Sequence, residues 1–310
     1  MGETTIERDL RYAERPTGSL LLDLYRPARD GAVPVVVWLH GGGWFAGDRA
    51  LAPDLRRYFA SRGIAMASIE YRLSGQALWP AQLHDVRDAV RFLRAAAGDL
   101  GLRPDRIGLW GGSAGAHLAA IAGLAGRERH LDGEPGTGDA SVTAVAASYP
   151  PVDLEQRHVP AGAPLGPPGA AGPRDSPEAR LIGGTPDEQP ERARDATVLT
   201  WVTSQAPAFQ ISHGTGDRLV PARHSELLHA ALVEAGIESD LFLVDGFGHG
   251  FLNPPGRADV PAVMDDGRLA TEQPAPALHR TSASAGDEPS TFGFDDVGDF
   301  FTRHLFEGEP

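Results

Sequence analysis

One run of residues constrains the fold more than any other part of the sequence. Residues 33–40 read Val-Pro-Val-Val-Val-Trp-Leu-His and are followed directly by three glycines. A continuous β-branched and apolar run without polar alternation is typical of a strand that is covered on both faces. The chain therefore needs structure on both sides of a central sheet, which predicts a layered fold.

The rest of the chain alternates between strand and helix patterns. Residues 4–13 and 18–26 flank the turn sequence Pro16-Thr17-Gly18 and predict an opening β-hairpin. Apolar periodicity predicts strands at 63–69, 106–110, 142–148, 208–213 and 240–245, and helices at 51–62, 82–97, 114–124, 222–235 and 292–305. Alternating strands and helices favour a single α/β domain over 1–310, with a mostly parallel central sheet and helices on both faces.

Two segments interrupt this alternation of strands and helices. Residues 150–190 contain ten prolines and six glycines, too many for a packed helical layer. Residues 253–290 are rich in small and polar residues and show little apolar periodicity. Long irregular segments within a compact domain are usually functional covers or disordered, and for 253–290 the sequence leaves both readings open.

Composition excludes several classes of partner and chemistry. The 310 residues include 28 basic and 42 acidic side chains, which gives a net charge of −14 and disfavours nucleic acid and anionic membranes. The absence of cysteine excludes disulfides, thiolate–metal sites and a thiol nucleophile. The charged amino-terminal sequence and the lack of a long apolar stretch predict neither a signal peptide nor a membrane helix, and hence a cytoplasmic protein.

A short glycine-rich motif marks a candidate nucleophile. Gly111-Gly112-Ser113-Ala114-Gly115 matches G-x-S-x-G and lies between a predicted strand and a predicted helix. The small flanking residues permit a sharp turn that exposes the serine hydroxyl at a helix amino terminus. Because the motif stands in the required strand–turn–helix context, we predict that Ser113 is a nucleophile.

A second glycine run follows the first central strand. His40-Gly41-Gly42-Gly43 can turn backbone N–H groups toward a bound oxygen, since no side chain obstructs the approach. The same residues could also form a tight turn without any chemical role. The presence of Ser113 downstream favours the chemical reading.

A serine hydroxyl needs a base, and the base needs an orienting carboxylate. His249, in Gly246-Phe247-Gly248-His249-Gly250-Phe251, follows the predicted strand 240–245 and is the candidate base. Asp217 follows the strand 208–213 and is the candidate acid. His213 also ends that strand, but it precedes the acid instead of following it. The resulting order Ser, Asp, His is the one associated with this serine motif.

With these motifs in place, the chain resembles the α/β-hydrolase superfamily. The resemblance is to carboxylesterases of the branch that contains bacterial feruloyl esterase-like and hormone-sensitive lipase-like enzymes. It covers most of residues 18–252. It includes the segments Glu70-Tyr71-Arg72-Leu73-Ser74, Trp79-Pro80-Ala81-Gln82-Leu83-His84-Asp85-Val86, Asp105-Arg106-Ile107, Ser176-Pro177 and Ile182-Gly183-Gly184.

The resemblance implies further roles for individual residues. The oxyanion hole would consist of the N–H groups of Gly42, Gly43 and Ala114. Arg72 and Asp85 would form a structural ion pair. Residues 150–205 would be the irregular cap insertion of an α/β-hydrolase fold. The chain departs from the family at Ala116, which replaces a commoner glycine, at Ala196-Thr197, which replaces Ser-Pro, and in the long insert after His249.

The implied activity is hydrolysis of small carboxylic esters through an acyl-enzyme, with no metal and no organic cofactor. Three alternatives remain open: an amidase or formamidase, a non-hydrolytic lyase or cyclase of natural-product metabolism, and a binding protein that has lost the chemistry. The expected partner is a small ester. The sequence leaves the natural substrate and the oligomeric state open, a homodimer included.

Overall fold

The computed structural model describes residues 4–126, 133–158, 173–254, 269, 273–284 and 286–306. Its strands belong to one ten-stranded sheet with the order β1-β2-β4-β3-β5-β6-β7-β8-β9-β10. The strands are β1 (Thr4–Arg15), β2 (Gly18–Pro27), β3 (Val33–Leu39), β4 (Ala65–Ile69), β5 (Leu102–Gly112), β6 (Ala144–Ser148), β7 (Ala208–Gly214), β8 (Ser239–Val244), β9 (Ala275–Thr281) and β10 (Glu288–Phe292).

The centre of the sheet is parallel and its margins are antiparallel. The six adjacent strands β4, β3, β5, β6, β7 and β8 run parallel to one another. The predicted hairpin of β1 and β2 is confirmed and joins β4 in antiparallel fashion, while β9 and β10 extend the opposite margin. All seven residues of β3 are buried, as its uninterrupted apolar sequence predicts.

Helices cover both faces of the sheet, which confirms the predicted α/β layering. They are α1 (Leu55–Phe59), α2 (Ala81–Ala95), α3 (Ala97–Leu100), α4 (Ala114–Ala125), α5 (Pro177–Ile182), α6 (Pro190–Asp195), α7 (Arg223–Glu234) and α8 (Phe294–Phe306). Val35 and Val37 of β3 join the core beneath α2, α4 and α7. Val36 and Trp38 join a second core beneath α1 and α8. No helix in the described ranges is long and apolar enough to cross a membrane.

The prediction that residues 253–290 are irregular is wrong for two parts of that segment. Residues 275–281 and 288–292 are β9 and β10, which pair with each other and with β8. Both lie at a sheet margin, where one face stays open to solvent and apolar alternation is not required. Residues 255–268 and 270–272 lie outside the described residues.

The predicted helix at 51–62 is shorter in the structure. Asp54 caps the helix by accepting from the N–H groups of Arg56 and Arg57, so that α1 begins at Leu55. Leu51 lies outside the helix, and its carbonyl oxygen accepts from the indole N–H of Trp38, at 2.9 Å. Pro53 disfavours the helical conformation at the residue before it, and the helix therefore begins only after this proline.

The described parts of the segment 150–205 contain two short helices, α5 and α6. Three-residue and four-residue 3-10 turns, Pro173–Asp175 and Val198–Trp201, precede and follow them. Residues 159–172 lie outside the described residues. The segment connects β6 to β7, and it therefore starts and returns at neighbouring strands in the centre of the sheet.

Candidate active site

Ser113 lies at the sharp turn between β5 and α4. Its backbone adopts φ 55° and ψ −122°, a conformation that non-glycine residues rarely adopt. The Ser113 N–H donates to the carbonyl oxygen of Ser148 at the end of β6, at 2.9 Å. The backbone of the turn is therefore anchored to the neighbouring strand, and the Ser113 hydroxyl is left to bond with a side chain.

Two glycines of the motif are required by close backbone approach. A β-carbon on Gly115 would lie 2.1 Å from the carbonyl oxygen of Leu39, and one on Gly111 would lie 2.4 Å from the Gly115 carbonyl carbon. Both distances are far below van der Waals contact with backbone atoms that cannot move aside. Helix α4 can thus pack against the end of β3 only when these positions carry no side chain.

The structure brings together the three side chains that the sequence singled out. The Ser113 Oγ lies 2.8 Å from His249 Nε2, and His249 Nδ1 lies 2.6 Å from Asp217 Oδ2. Because a carboxylate only accepts hydrogen bonds, Nδ1 carries the hydrogen and a neutral His249 presents a lone pair at Nε2. The Ser113 hydroxyl therefore donates to His249. Asp217 follows β7 and His249 follows β8, at the carboxyl edge of the parallel strands.

Asp217 accepts four hydrogen bonds. Its Oδ1 accepts from the N–H groups of Leu219 and Val220 at 2.8 and 2.9 Å. Its Oδ2 accepts from His249 and, at 3.2 Å, from His213 Nε2. Burial by itself would raise the pKa of Asp217, but the hydrogen bonds from His213 and His249 outweigh it and hold the pKa well below its ordinary value. Asp217 is thus a carboxylate at neutral pH.

The glycine run after β3 lies against the serine turn. A β-carbon on Gly41 would come within 3.4 Å of the Ser113 Cβ, which places this loop beside the hydroxyl. Gly42 has a φ of 112°, and its carbonyl oxygen accepts from the N–H of Ala46 at 3.0 Å, which closes a tight turn. Among the described residues, no hydrogen bond uses the N–H groups of Gly42, Gly43 or Ala114.

His117 connects the glycine loop to the segment 150–205. Its Nδ1 accepts from the indole N–H of Trp44 at 3.3 Å, and its Nε2 donates to the Ala196 carbonyl oxygen at 2.7 Å. Burial lowers the pKa of His117 to about 4, and the ring is therefore neutral near pH 7. The sequence predicted only that His117 packs against a neighbour. Nothing in the sequence identified Trp44 and Ala196 as its partners, because they lie on distant segments.

The predicted ion pair between Arg72 and Asp85 is present. Arg72 Nε lies 2.8 Å from Asp85 Oδ2, and Arg15 Nε lies 2.8 Å from Oδ1 of the same carboxylate. Arg72 also binds the carbonyl oxygen of Ala81. The group joins β1, α2 and the segment after β4, and none of its hydrogen bonds among the described residues reaches Ser113 or His249, which agrees with a structural role.

Thr197, one of the departures from the family pattern, anchors the chain after β6. Its Oγ1 accepts from the N–H groups of Leu154 and Glu155 at 3.1 and 3.0 Å, and it donates to the carbonyl oxygen of Ala193 at 2.9 Å. Thr197 therefore makes stabilising contacts that a proline at this position could not make.

Tyr149 also belongs to the site, although the sequence did not predict it. Its ring packs edge-on against the His249 imidazole, with centroids 4.9 Å apart, and it also contacts Phe251. The backbone of Tyr149 has a φ of 44°, and its N–H donates to the Ser212 carbonyl oxygen. Its position directly after a predicted central strand was the available signal, since site residues in such sheets follow the carboxyl ends of strands.

The sheet, the serine turn and the three hydrogen-bonded side chains define a protein of the α/β-hydrolase class. Comparison with known families gives the same result at finer detail. The family model BD-FAE matches residues 22–232, and the chain belongs to this feruloyl esterase-like family. The predicted resemblance is therefore confirmed.

Two similar proteins come from Mycobacterium tuberculosis. Esterase LipC is 32% identical over 251 residues, which cover 79% of this chain and 59% of LipC. Esterase LipQ is 34% identical over 227 residues, which cover 70% of this chain and 50% of LipQ. The chain thus spans between half and three fifths of the length of these relatives.

Solved structures extend the similarity over nearly the whole chain. A truncated carbohydrate esterase from gut microbiota superposes with a TM-score of 0.75 at 25% identity, covering 98% of this chain and 97% of that one. Esterase 2 of Thermogutta terrifontis, phosphorylated by paraoxon, superposes with a TM-score of 0.64 at 25% identity, covering 86% of this chain and 91% of that one.

Proposed function

We propose that this protein is a serine hydrolase that cleaves small carboxylic esters through an acyl-enzyme. The observation that carries the proposal is the unbroken chain of hydrogen bonds from Ser113 through His249 to Asp217, at 2.8 and 2.6 Å. This is the arrangement that converts a weakly nucleophilic hydroxyl into an attacking group. Membership of the BD-FAE family and the esterase names of the relatives support the same activity.

The geometry suggests the order of proton transfers. Ser113 Oγ attacks the ester carbonyl carbon while His249 Nε2 takes the hydroxyl proton, and Asp217 stabilises the imidazolium that forms. His249 then gives this proton to the departing alcohol oxygen. In the second half of the reaction His249 deprotonates a water, which attacks the acyl carbonyl carbon, and the proton returns to Ser113 as the acid leaves.

The negative oxygen of each tetrahedral intermediate would bind the N–H groups of Gly42, Gly43 and Ala114. Two facts support this assignment: the glycine loop lies against Ser113, and these three donors have no partner among the described residues. Ala114 is also the first residue of α4, where the helix dipole favours negative charge. Each such donor contributes about 3 kcal/mol to the lowering of the barrier in enzymes of this type.

We propose that residues 150–205 form the cap over the substrate. Pro177 of α5 lies within 3.2 Å of the position of a β-carbon on Gly43, and the Arg180 guanidinium lies over the Phe45 ring at 5.2 Å. The described part of this segment therefore contacts the proposed oxyanion loop. The esterase names of the relatives support small esters as the substrate class. The cytoplasmic location remains a prediction, which cell fractionation tests.

The proposed activity is tested with p-nitrophenyl acetate in a stopped-flow instrument. We expect the wild type to release a burst of p-nitrophenolate that is stoichiometric with enzyme, followed by steady turnover as water removes the acetyl group. The Ser113→Ala variant should lose both phases, with turnover reduced by about 10⁴-fold or more. Near-normal cleavage by this variant would remove Ser113 from the role of nucleophile.

A matched control separates loss of the nucleophile from loss of any buried serine. Ser239 is also buried and hydrogen-bonded to a histidine, His229, at 2.9 Å, but it lies at the amino end of β8, opposite the proposed site. Ser239→Ala should retain both phases. A burst without turnover would indicate a non-hydrolytic enzyme, and faster cleavage of p-nitroacetanilide than of the ester would indicate an amidase.

A further inference from the structure

Asp217 has a second histidine partner that the proposed mechanism does not use. His213 lies on β7, four residues before Asp217, and is fully buried. Its Nε2 lies 3.2 Å from Asp217 Oδ2, the same oxygen that accepts from His249 Nδ1. Two imidazole rings therefore share one carboxylate oxygen.

The surroundings of His213 determine which ring nitrogen donates to Asp217. Nε2 lies 2.8 Å from the carbonyl oxygen of Val220, and a carbonyl can only accept, which means that Nε2 carries a hydrogen. Nδ1 lies 2.7 Å from the Oγ of Ser225 on α7. The ring is thus held from both sides, with its Nε2–H directed at the Val220 carbonyl and the Asp217 carboxylate.

We propose that His213 is a positioning residue for ester cleavage. Its Nε2–H fixes the Asp217 carboxylate toward His249 and partly neutralises the negative charge on the oxygen that both rings share. The inference rests on the proposed function, since it requires that Asp217 and His249 act in the reaction. A carboxylate oxygen that accepts two N–H bonds stabilises an adjacent imidazolium less than one that accepts a single bond. His213 therefore sets how strongly the Asp217 carboxylate can stabilise a positive charge on His249.

Several titratable groups lie near the Asp217 carboxylate. They come from several elements and are His213 on β7, His249 after β8, His224 on α7, Asp153 after β6, and Tyr149, which faces the His249 ring. Burial lowers the pKa of His224 to about 4, and its Nδ1 accepts from the N–H of Val152 at 3.1 Å. His224 is therefore neutral near pH 7.

Two amide variants distinguish positioning from structural support. In His213→Gln the side-chain amide reaches the place of Nε2 and can still donate to Asp217. In His213→Asn the shorter amide reaches only the place of Nδ1, next to Ser225. We expect His213→Gln to keep kcat within about threefold of wild type. We also expect it to leave unchanged the acid limb of the profile, the low-pH range in which kcat/KM falls. We expect His213→Asn to lose about 10- to 100-fold in kcat, with the acid limb moved up by about half a pH unit.

The measurements are the pH profile of p-nitrophenyl acetate hydrolysis and the pH dependence of phosphorylation by paraoxon. The second reports on the reactivity of Ser113 alone, without the deacylation step. His213→Met, which fills the ring volume and carries no donor, repeats the test should the asparagine variant fail to fold. His229→Asn is the matched control, since its ring is also buried and bonded to a serine but lies away from Asp217.

The inference is overturned when His213→Asn and His213→Met, which have no donor at the place of Nε2, keep the wild-type acid limb, whatever their kcat. It is also overturned when His213→Gln shows the same shift as His213→Asn. Failure of the proposed function has a different signature, because Ser113→Ala and Asp217→Asn would then retain ester cleavage. The His213 result is therefore interpreted only with those two variants measured in parallel.

Discussion

The backbone of Ser113 shows how single residues determine this site. A serine at φ 55° costs about 1–3 kcal/mol, and such a conformation persists only where the surroundings enforce it. Here the N–H of Ser113 is bonded to the Ser148 carbonyl oxygen, and glycines on either side allow α4 to approach β3. The motif spacing predicted this turn because the required small residues leave a recognisable sequence.

The close approach at Gly115 gives a first prediction. Gly115→Ala would place a methyl group 2.1 Å from the Leu39 carbonyl oxygen, and we expect a loss of about 3 kcal/mol or more in the free energy of unfolding. Gly98→Ala is the control, since a β-carbon on Gly98 meets nothing within 4 Å. Urea denaturation of both variants checks the difference, and equal stabilities would contradict this account of the turn.

Other residues of the site could not be identified from the sequence. His213 was set aside as a base because it precedes Asp217, and its contact with the Asp217 carboxylate depends on the turn 214–220 folding back on β7. Tyr149 likewise contacts His249 across about a hundred residues of chain. Motif spacing identifies groups that a reaction requires, whereas the partners of those groups follow from tertiary packing.

At the scale of elements, apolar periodicity predicted the central strands and the long helices. It did not predict the strands β9 and β10 at the margin of the sheet. In β10 four of five residues are exposed, and in β9 the buried positions are alanines, which give a weak apolar signal. Strands of this kind form because β8 offers a free edge for backbone hydrogen bonds. Sequence patterns record side-chain burial and carry little information about such pairing.

The anchor at Thr197 gives a prediction for the segment that leads to the proposed cap. Thr197→Val would leave the N–H groups of Leu154 and Glu155 without their acceptor, and we expect a loss of about 2–3 kcal/mol in the free energy of unfolding. Thr200→Val is the control, because Thr200 is exposed and its lost partners can bind water. Denaturation midpoints check this, and equal losses in both variants would contradict it.

At the scale of the whole molecule, two buried histidines make stability depend on pH. Burial lowers the pKa of His117 and of His224 to about 4, whereas both would titrate near 6.5 in the unfolded chain. Between these values the unfolded chain binds more protons than the folded one, and stability must therefore fall as the pH falls from about 6.5 to about 4.

We expect the free energy of unfolding to decrease by up to about 1.4 kcal/mol per pH unit for each of these two histidines. Urea denaturation at pH 7, 6 and 5 measures the slope. His224→Gln should reduce the slope by up to about 1.4 kcal/mol per pH unit, the contribution of one proton. A stability that is constant over this range, or that rises toward pH 5, would contradict the buried neutral state.

The central claim is that Ser113, His249 and Asp217 act as one catalytic unit, and the most direct test is a comparison of turnover in single and combined variants. We expect Ser113→Ala and His249→Ala each to reduce kcat for p-nitrophenyl acetate about as much as the triple replacement with Asp217→Ala does. Losses that instead multiply from one replacement to the next would show that the three side chains act independently, and would contradict the account.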